Sequence, residues 1–362
     1  MSVFELMKEY DHEQVLFTWE PAADYRGIIA IHNTTLGPAL GGVRLWNYAS
    51  DEEALLDVLR LSRAMTYKAA VAGLNLGGGK SVIIGDPKTT RRELIFRAHG
   101  RAVDSLKGRY ITAEDVGTSV EDMDYVHMET PYVVGIAGRS GDPSPVTAYG
   151  VYRGMKACAR VVYGDGSLRG KSVAVQGVGH VGYHLCEYLH AEGAHLFVAD
   201  IDAAKVQRAV ERFRAEAVAP DEIYDADADI FAPCALGGIL NEKTIPRLKV
   251  KIVAGAANNQ LADEEQDNAL QARGILYAPD YVINAGGLIN VYSELVGWSP
   301  ERAKRKAAEI YDTLLQIFEL AEAEGVTTSE AADRVAEHRI AQVGRMHRSY
   351  IQCRDRVRGD WP

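Results

Sequence analysis

The chain has 362 residues, and its 50 acidic and 40 basic side chains leave a formal charge of −10. This charge disfavours general nucleic-acid binding, because neutralising phosphates needs a basic surface. At about 150 residues per domain, the length suggests two domains. A content of 47% hydrophobic and 25% charged residues is typical of a globular protein rather than a disordered one.

Membrane and secretory features are not predicted. No run reaches the 18 or more apolar residues of a membrane helix, and the N-terminus carries acids where a signal peptide would be basic and then apolar. The dispersed cysteines form no CxxC pair, which predicts a reducing compartment, no disulfide frame and no metal site. They are Cys158, Cys186, Cys234 and Cys353. We therefore expect a cytoplasmic protein.

Short β-type runs alternate with longer helical patterns. Ser50 with Glu53 predicts a capped helix start, and Thr90 with Glu93 predicts another. Ser144-Pro145 and Ser299-Pro300 predict two further starts, and the second of these helices should run to about Glu324. The predicted strands are Ile28–Ile31, Ser81–Ile84, Arg109–Thr112, Ser172–Gln176, His195–Ala199, Asp229–Phe231 and Lys251–Ala254. The alternation predicts an α/β fold with mostly parallel sheets.

A domain boundary is expected in the Gly/Pro/Ser-rich stretch from Tyr132 to Pro145. The long helix from Pro300 can return the chain to the first domain. We therefore expect one domain at residues 1–133 plus 325–362, and a second at residues 134–324.

The run Lys171-Ser-Val-Ala-Val-Gln-Gly177-Val-Gly179-His-Val-Gly182 predicts a dinucleotide site. A strand leads into GxGxxG and a helix follows, so the glycines would allow a tight turn, approach of a pyrophosphate and close helix packing. The alternative is a glycine turn that merely packs a helix on a strand. Asp200 ends the next strand, where its carboxylate would bind the ribose hydroxyls of NAD and disfavour a 2′-phosphate. Lys205 and Arg208 lie close by and leave NADP open.

Lys80 follows three glycines at the start of an apolar strand. Desolvation and a second cation such as Lys68 would lower its pKa and make it a usable base. A surface lysine after a flexible loop is the alternative. Asp115 follows another strand, at the end where α/β proteins place ligands, and is a candidate proton carrier. Its alternative is a turn or helix cap.

Together these segments resemble the glutamate/leucine/phenylalanine/valine family of amino acid dehydrogenases, and most closely its leucine branch. The resemblance covers nearly the whole chain. Its motifs are Thr35-Leu-Gly-Pro-Ala-Leu-Gly-Gly42, Gly77-Gly-Gly-Lys-Ser-Val-Ile-Ile-Gly-Asp-Pro87, Thr112-Ala-Glu-Asp-Val-Gly117, Pro143-Ser-Pro-Val-Thr-Ala-Tyr-Gly150, Phe231-Ala-Pro-Cys-Ala-Leu-Gly-Gly238, Ala254-Gly-Ala-Ala-Asn-Asn-Gln-Leu261 and Ala278-Pro-Asp-Tyr-Val-Ile-Asn-Ala-Gly-Gly287.

The resemblance implies two domains separated by a cleft, an N-terminal substrate and oligomerisation domain and a Rossmann-type NAD domain, in a homo-octamer. Lys80 would activate water, Asp115 would shuttle protons and Lys68 would hold the substrate carboxylate. The other implied substrate-binding residues are Leu40, Gly41, Met65, Ala113, Asn259, Leu288 and Val291. The implied cofactor-binding residues are Gly177, Val178, Gly179, His180, Val181, Gly182, Asp200, Thr147, Ala235, Asn258 and Asn284.

The implied reaction is NAD-dependent, reversible oxidative deamination of branched-chain L-amino acids to 2-oxo acids and ammonia. Leu40, Ala113, Leu288 and Val291 are apolar, so an acidic substrate side chain would lose hydration without gaining a cation. Leu288 stands where leucine enzymes often have valine, which leaves phenylalanine, tryptophan and valine activity open. A non-catalytic nucleotide-binding protein of the same fold is the alternative from another class.

Two further features are not expected to be functional. His180 and His184 lie four apart on the nucleotide helix, but the glutamate of an HExxH zinc motif is absent. Cys234 has no evident partner base, so we expect a small buried side chain rather than a nucleophile.

Overall fold

The computed structural model describes residues 2–138 and 141–346. The chain forms two compact units, Met1–Gly141 with Ala336–Pro362 and Asp142–Val335, called here the first and second units. The sequence prediction set the division after residues 133 and 324. In the described part of the chain, no helix is both long and apolar enough to cross a membrane.

The first unit is a five-stranded mixed sheet with helices packed against it. Its elements are α1 (Val3–Glu9), β1 (Gln14–Glu20), β2 (Tyr25–Asn33), β3 (Ala39–Trp46), α2 (Asp51–Val71), β4 (Gly77–Ile84), α3 (Arg92–Ser105), β5 (Tyr110–Glu114) and α4 (Val120–His127). The strand order is β1-β2-β4-β3-β5. Strand β2 runs antiparallel to β1 and β4, whereas β3 runs parallel to β4 and β5.

Helix α2 covers one face of this sheet. Ser50 Oγ accepts a hydrogen bond from the Glu53 amide (3.2 Å), so the predicted cap is confirmed. Leu55, Val58 and Leu59 of α2 are buried against Val82 and the neighbouring strand residues of the same core. Helix α2 therefore packs directly on β4.

The second unit contains a six-stranded, wholly parallel sheet with strand order β11-β10-β9-β6-β7-β8. Its strands are β6 (Ser172–Gln176), β7 (His195–Ala199), β8 (Glu216–Ala217), β9 (Ile230–Pro233), β10 (Ile252–Val253) and β11 (Leu276–Tyr277). The remaining helices are α5 (Ser144–Tyr163), α6 (His180–Glu192), α7 (Ala203–Phe213), α8 (Glu265–Ala272), α9 (Asp280–Ile283), α10 (Gly286–Leu295), α11 (Pro300–Ala308), α12 (Ile310–Glu324) and α13 (Thr328–Met346).

Four predictions of local structure are wrong. Thr90 does not cap α3, whose N-cap is Arg91 without a side-chain hydrogen bond, and Ser144 is the first residue of α5 rather than its cap. The single helix expected from Pro300 to Glu324 is two helices that meet at Glu309. The first sheet is also not mostly parallel, because β1 and β2 form a hairpin that was not predicted.

Candidate active site

Lys80 lies inside β4 and not on a flexible loop. Side chains alternate along a strand, so Gly78 and Lys80 share the face that α2 covers. A Cβ at Gly78 would lie 2.5 Å from the Ser62 carbonyl oxygen of α2 and closer still to Thr66. The glycine therefore lets α2 pack directly on the strand. The same helix carries the half-buried Met65 and, in its last turn, the half-buried Lys68.

Lys80 and Asp115 form a largely buried ion pair. Lys80 Nζ lies 3.0 Å from Asp115 Oδ2, and the lysine side chain is only 6% exposed. Burial lowers the pKa of Lys80 below its ordinary value despite the attraction of Asp115. Burial opposes ionisation of Asp115, but Lys80 and Arg44 outweigh it and lower the pKa of that carboxyl. The site thus holds a carboxylate beside an amine that gives up its proton more readily than a solvated lysine.

Arg44 was missed by the sequence prediction. Its Nε donates to Asp115 Oδ2 at 3.0 Å, and its Nη1 donates to Asp57 Oδ2 at 2.9 Å. Tyr48 OH donates to the same Asp57 oxygen at 2.6 Å. The available signal was the alternation Gly42-Val43-Arg44, which places Arg44 on one face of a strand. It was not used because β3 itself was not predicted.

The other predicted substrate residues of the first unit lie on neighbouring strands. Leu40 is buried and Gly41 follows it in β3, while Ala113 is half-buried in β5, just before Asp115. Strand β3 pairs with both β4 and β5. The fold therefore places Leu40 and Gly41 between the strand of Lys80 and the strand of Ala113.

A buried polar network fixes these strands from the opposite face of the sheet. Tyr110 OH donates to the Gly41 carbonyl at 2.6 Å and lies 2.9 Å from Ser81 Oγ. His99 lies 3.3 Å from Ser81 Oγ and 3.0 Å from Tyr25 OH. Burial lowers the pKa of His99 to about 3, so the imidazole is neutral at physiological pH.

The glycine-rich turn in the second unit has the features of a dinucleotide site. Gly177 has φ +95°, a left-handed conformation that favours glycine. A Cβ there would lie 2.7 Å from the Cβ of Ala235, and one at Gly182 would overlap the Gly177 carbonyl oxygen. A Cβ at Gly179 would meet no heavy atom within 4 Å, so the space beside that backbone is open.

Helix α6 begins immediately after this turn. Its N-cap is Gly179, which has no side chain to cap the first amides of the helix. His180 is exposed, Val181 is half-buried and Val178 is buried. A helix N-terminus with this geometry suits a pyrophosphate, and the residues present therefore fit a dinucleotide.

Asp200 lies against the same turn. Its Oδ2 accepts from the Val178 amide at 2.9 Å and its Oδ1 from the Asp202 amide at 2.9 Å. Both nearby cations have partners: Arg208 stacks on the Tyr183 ring at 3.9 Å, and Lys205 lies 3.7 Å from Asp202.

The predicted asparagines form a second cluster in this unit. Asn284 is buried, and its Nδ2 donates to Asn258 Oδ1 at 2.8 Å and to the Ala256 carbonyl at 3.1 Å. Asn259 is exposed and has φ +50°, a conformation that asparagine tolerates better than most residues. Its carbonyl accepts from the Gly238 amide at 2.7 Å. The loop thus presents Asn258 and Asn259 from a fixed backbone.

Thr147 and α10 form the remaining part of the predicted site in the second unit. Thr147 Oγ1 donates to the Pro143 carbonyl at 2.9 Å near the start of α5. A Cβ at Gly286 would lie 2.5 Å from the Val146 carbonyl, so the start of α10 packs closely on α5. Leu288 and Val291, three residues apart on α10, lie on one face of that helix.

The predicted site residues thus divide into two sets, one in each unit. Two residues that were not expected to be functional lie in ordinary surroundings. His184 lies 3.5 Å from Glu187, and Cys234 is half-buried with its pKa raised to about 12 by burial.

Comparison with known proteins identifies the family. Residues 12–132 match the family Glu/Leu/Phe/Val dehydrogenase, dimerisation domain, and residues 197–348 match Glutamate/Leucine/Phenylalanine/Valine dehydrogenase. The chain is 58% identical to leucine dehydrogenase of Thermoactinomyces intermedius, over 97% of each chain. It is 52% identical to an L-tryptophan dehydrogenase of Nostoc punctiforme, over 94% of this chain and 96% of the relative.

Solved structures agree with this assignment. The crystal structure of L-tryptophan dehydrogenase from Nostoc punctiforme superposes with a TM-score of 0.87 at 51% identity, covering 94% of this chain and 99% of that one. The hetero-hexameric glutamate dehydrogenase of Thermus thermophilus shares the fold, with a TM-score of 0.77 at 24% identity over 96% of each chain. The chain belongs to the glutamate/leucine/phenylalanine/valine dehydrogenase family of oxidoreductases, which use a nicotinamide cofactor.

Proposed function

We propose that this protein catalyses the reversible, NAD-dependent oxidative deamination of L-leucine and other branched-chain L-amino acids. The observation that carries the proposal is the buried Lys80–Asp115 pair, 3.0 Å apart, together with the apolar residues predicted to line the side-chain pocket. The overall reaction consumes an amino acid, oxidised cofactor and water. It yields a 2-oxo acid, ammonium, reduced cofactor and a proton.

Lys80 is the base that activates water. Loss of a hydride from Cα leaves an iminium carbon, to which water must add before ammonia can leave. The lowered pKa of Lys80 increases the fraction of neutral amine, which can take a proton from that water. Its position within β4 holds the amine in place, so that little conformational entropy of the side chain is lost when the substrate binds.

Asp115 carries protons to and from the reacting nitrogen. Its carboxylate is ionised because Lys80 and Arg44 contact the same oxygen. Lys68, on α2, would bind the substrate carboxylate through its charge. These three residues of the first unit thereby supply a base, a proton carrier and an anchor.

The cofactor, when bound, accepts the hydride at its nicotinamide ring. The residues that would hold it are the Gly177–Gly182 turn for the pyrophosphate, Asp200 for the ribose, and Thr147, Ala235, Asn258 and Asn284 near the nicotinamide. Asn259 would bind the reacting amine. The φ of Gly177 and the open space beside Gly179 support this role for the turn.

NAD is the proposed cofactor rather than NADP. A 2′-phosphate beside the Asp200 carboxylate would bring two like charges together in a partly buried place. Lys205 and Arg208 are the nearby cations, and each already contacts another side chain. This arrangement supports a preference for the dinucleotide without the extra phosphate.

The apolar residues that the resemblance assigns to the substrate side chain support an aliphatic substrate. Leu40 is 2% exposed and Leu288 is 6% exposed, while Ala113 and Val291 are half-buried. An acidic side chain against residues of this kind would lose its hydration without gaining a cation, whereas leucine, isoleucine and valine would bury apolar surface. The leucine dehydrogenases among the relatives support the same choice.

We also propose a homo-octamer in the cytoplasm. The match of residues 12–132 to a dimerisation domain supports self-association. The free thiols at Cys158, Cys186 and Cys234 support a reducing compartment. Light scattering of the purified protein measures the subunit number, and a mass other than eight chains would refute the octamer.

The test of the proposed activity is a panel of L-amino acids with NAD, followed by the absorbance of the reduced cofactor. Leucine, isoleucine and valine should all react far better than glutamate, and valine should fall behind leucine by no more than about 10- to 200-fold, because one methylene changes transition-state binding by only about 1–3 kcal/mol. Preferred turnover of phenylalanine or tryptophan would assign the chain to another branch of the family.

A further inference from the structure

Arg44 links the proposed proton carrier to a second carboxylate. Asp115 Oδ2 receives two donors, Lys80 Nζ and Arg44 Nε, each at 3.0 Å. The other arm of Arg44 donates to Asp57 at 2.9 Å, and Tyr48 donates to the same Asp57 oxygen at 2.6 Å. One guanidinium therefore holds two carboxylates at once.

Rigid elements supply each of these groups. Strand β3, which carries Arg44, pairs with β4 on one side and β5 on the other, and so lies between the strands that position Lys80 and Asp115. Asp57 lies early in α2, which packs on the same sheet. The side chains of Arg44, Asp115 and Asp57 are 22%, 24% and 29% exposed, so solvent screens their charges only in part.

We propose that Arg44 is a positioning residue of the reaction, which fixes the Asp115 carboxylate and, as a permanent cation, sets the protonation of the Lys80–Asp115 pair. This inference rests on the proposed function of that pair. A guanidinium suits both tasks because it stays charged throughout the working pH range and holds its N–H donors in a rigid planar fork, whereas an ammonium is a point charge on a flexible stem whose pKa shifts readily on burial.

The charges around the pair act in opposite directions. Arg44 attracts the Asp115 carboxylate and lowers its pKa. Burial has the largest effect on the pKa of Lys80 and lowers it, and repulsion from Arg44 lowers it further. Asp57 acts in the opposite sense and favours the charged form of Lys80. From β5, Tyr110 is neutral, since burial raises the pKa of its phenol, and Glu114 has its pKa raised by burial, Asp122 and Asp115. Arg44 and Asp57 therefore have opposite effects on the pKa of Lys80.

The pH dependence of kcat tests this inference, measured with saturating NAD and the best amino acid of the panel. Arg44→Gln removes the cation, so the rising limb of kcat should move to higher pH by about one unit or more, a typical effect of one nearby charge. Activity at pH 7 should then fall about tenfold or more and recover in alkali. Asp57→Asn should move the same limb to lower pH, because it removes the opposing anion.

Two matched variants separate charge from geometry. Arg44→Lys keeps a cation and should keep the position of the limb while lowering kcat, because it loses one of the two carboxylate contacts. Tyr48→Phe removes the other hydrogen bond to Asp57 without changing a charge, and should leave the limb where it is. Circular dichroism and thermal unfolding check that each variant is folded.

A merely structural role predicts a different result. Equal loss of activity at every pH in Arg44→Gln, or shifts of the same sign in Arg44→Gln and Asp57→Asn, would overturn the inference. If Arg44→Gln does not fold, the Asp57→Asn variant still tests the inference: a shift of the limb to lower pH supports it, and no shift or a shift to higher pH overturns it. The substrate preference of the wild type is measured independently in the amino acid panel. An unexpected preferred substrate there would change the proposed function, whereas the role of Arg44 is tested only by the shifts of the pH profile.

Discussion

At the scale of single residues, the proposed chemistry depends on two groups whose ordinary behaviour is altered by their surroundings. Lys80 is buried in a strand, which lowers its pKa, and Asp115 is held ionised by two cations. Neither effect would exist in solution. The residue types were predictable from the Gly77–Lys80 run and the Asp115 motif, but their 3.0 Å contact required the fold.

Replacing Lys80 by alanine should remove turnover and leave NAD binding intact. The loss should be about 10²–10⁴-fold, which is the usual contribution of a general base, while the Gly177–Gly182 turn belongs to the other unit. Activity assays and cofactor titration by fluorescence measure the two properties. Lys88→Ala, at an exposed lysine just after the same strand, is the control and should keep its activity. Near-native turnover in Lys80→Ala would refute the assigned role.

Replacing Asp200 by alanine should weaken NAD binding and narrow the preference over NADP. The variant loses an acceptor for the ribose hydroxyls and the negative charge that repels a 2′-phosphate. It also loses the hydrogen bond from the Val178 amide, so part of the loss of NAD affinity comes from a less firmly held glycine-rich turn. The ratio of kcat/KM with NAD and NADP in both proteins measures the change. Equal use of both cofactors by the wild type would refute this role of Asp200, and Lys205 or Arg208 would then be the residue to test for binding of the 2′-phosphate.

At the scale of elements, close packing of α2 on β4 positions Lys68 relative to Lys80. A Cβ on Gly78 would meet the backbone of α2 at Ser62 and Thr66, so the helix must move. Gly78→Ala should therefore lower the free energy of unfolding by about 1–3 kcal/mol, the usual cost of overpacking. It should also raise KM for the amino acid, because Lys68 shifts with the helix.

Gly85→Ala is the matched control for this substitution. A Cβ there would make an ordinary 3.5 Å contact with Leu45 Cδ1 and needs no movement of α2. Urea unfolding and amino acid saturation curves should show the control close to wild type. An equal effect of both substitutions would mean that Gly78 is not required for helix packing.

The two sheets differ in how much of them the sequence predicts. Strands β6 and β7 were predicted with their observed bounds, because buried parallel strands are continuous apolar runs between helices. Strand β3 was missed because its apolar pattern is interrupted by Gly41 and Gly42, and β1 because it is half-exposed at an edge. Arg44 was missed for the same reason, since its contact with Asp115 depends on the pairing of strands distant in sequence.

At the scale of the whole molecule, buried histidines make the stability of the first unit depend on pH. Burial lowers the pKa of His99 to about 3. Burial is also the main cause that lowers the pKa values of His12 and His32 to about 4, and the second cause is His32 for His12 and Arg63 for His32. The unfolded chain protonates histidines near pH 6.5 and so binds more protons below that value. Stability that is present above pH 6.5 is therefore lost as the pH falls towards 4.

Thermal unfolding at pH 7.5 and pH 5.0 tests this expectation. The wild type should unfold at a lower temperature at pH 5.0. His99→Gln should show a smaller difference between the two values, because one titrating group is gone, although it is less stable at pH 7.5. His180→Gln, at an exposed histidine, should behave as the wild type does. An unchanged or higher unfolding temperature for the wild type at pH 5.0 would contradict the account.

The central claim is that the chain couples hydride removal from a branched-chain amino acid to release of its nitrogen. The most direct measurement follows ammonia and reduced cofactor together, with L-leucine and with L-glutamate, in the presence of NAD. We predict one ammonia per reduced cofactor with L-leucine, and far lower kcat/KM with L-glutamate. Reduced cofactor without ammonia, or comparable efficiency with L-glutamate, would contradict the claim.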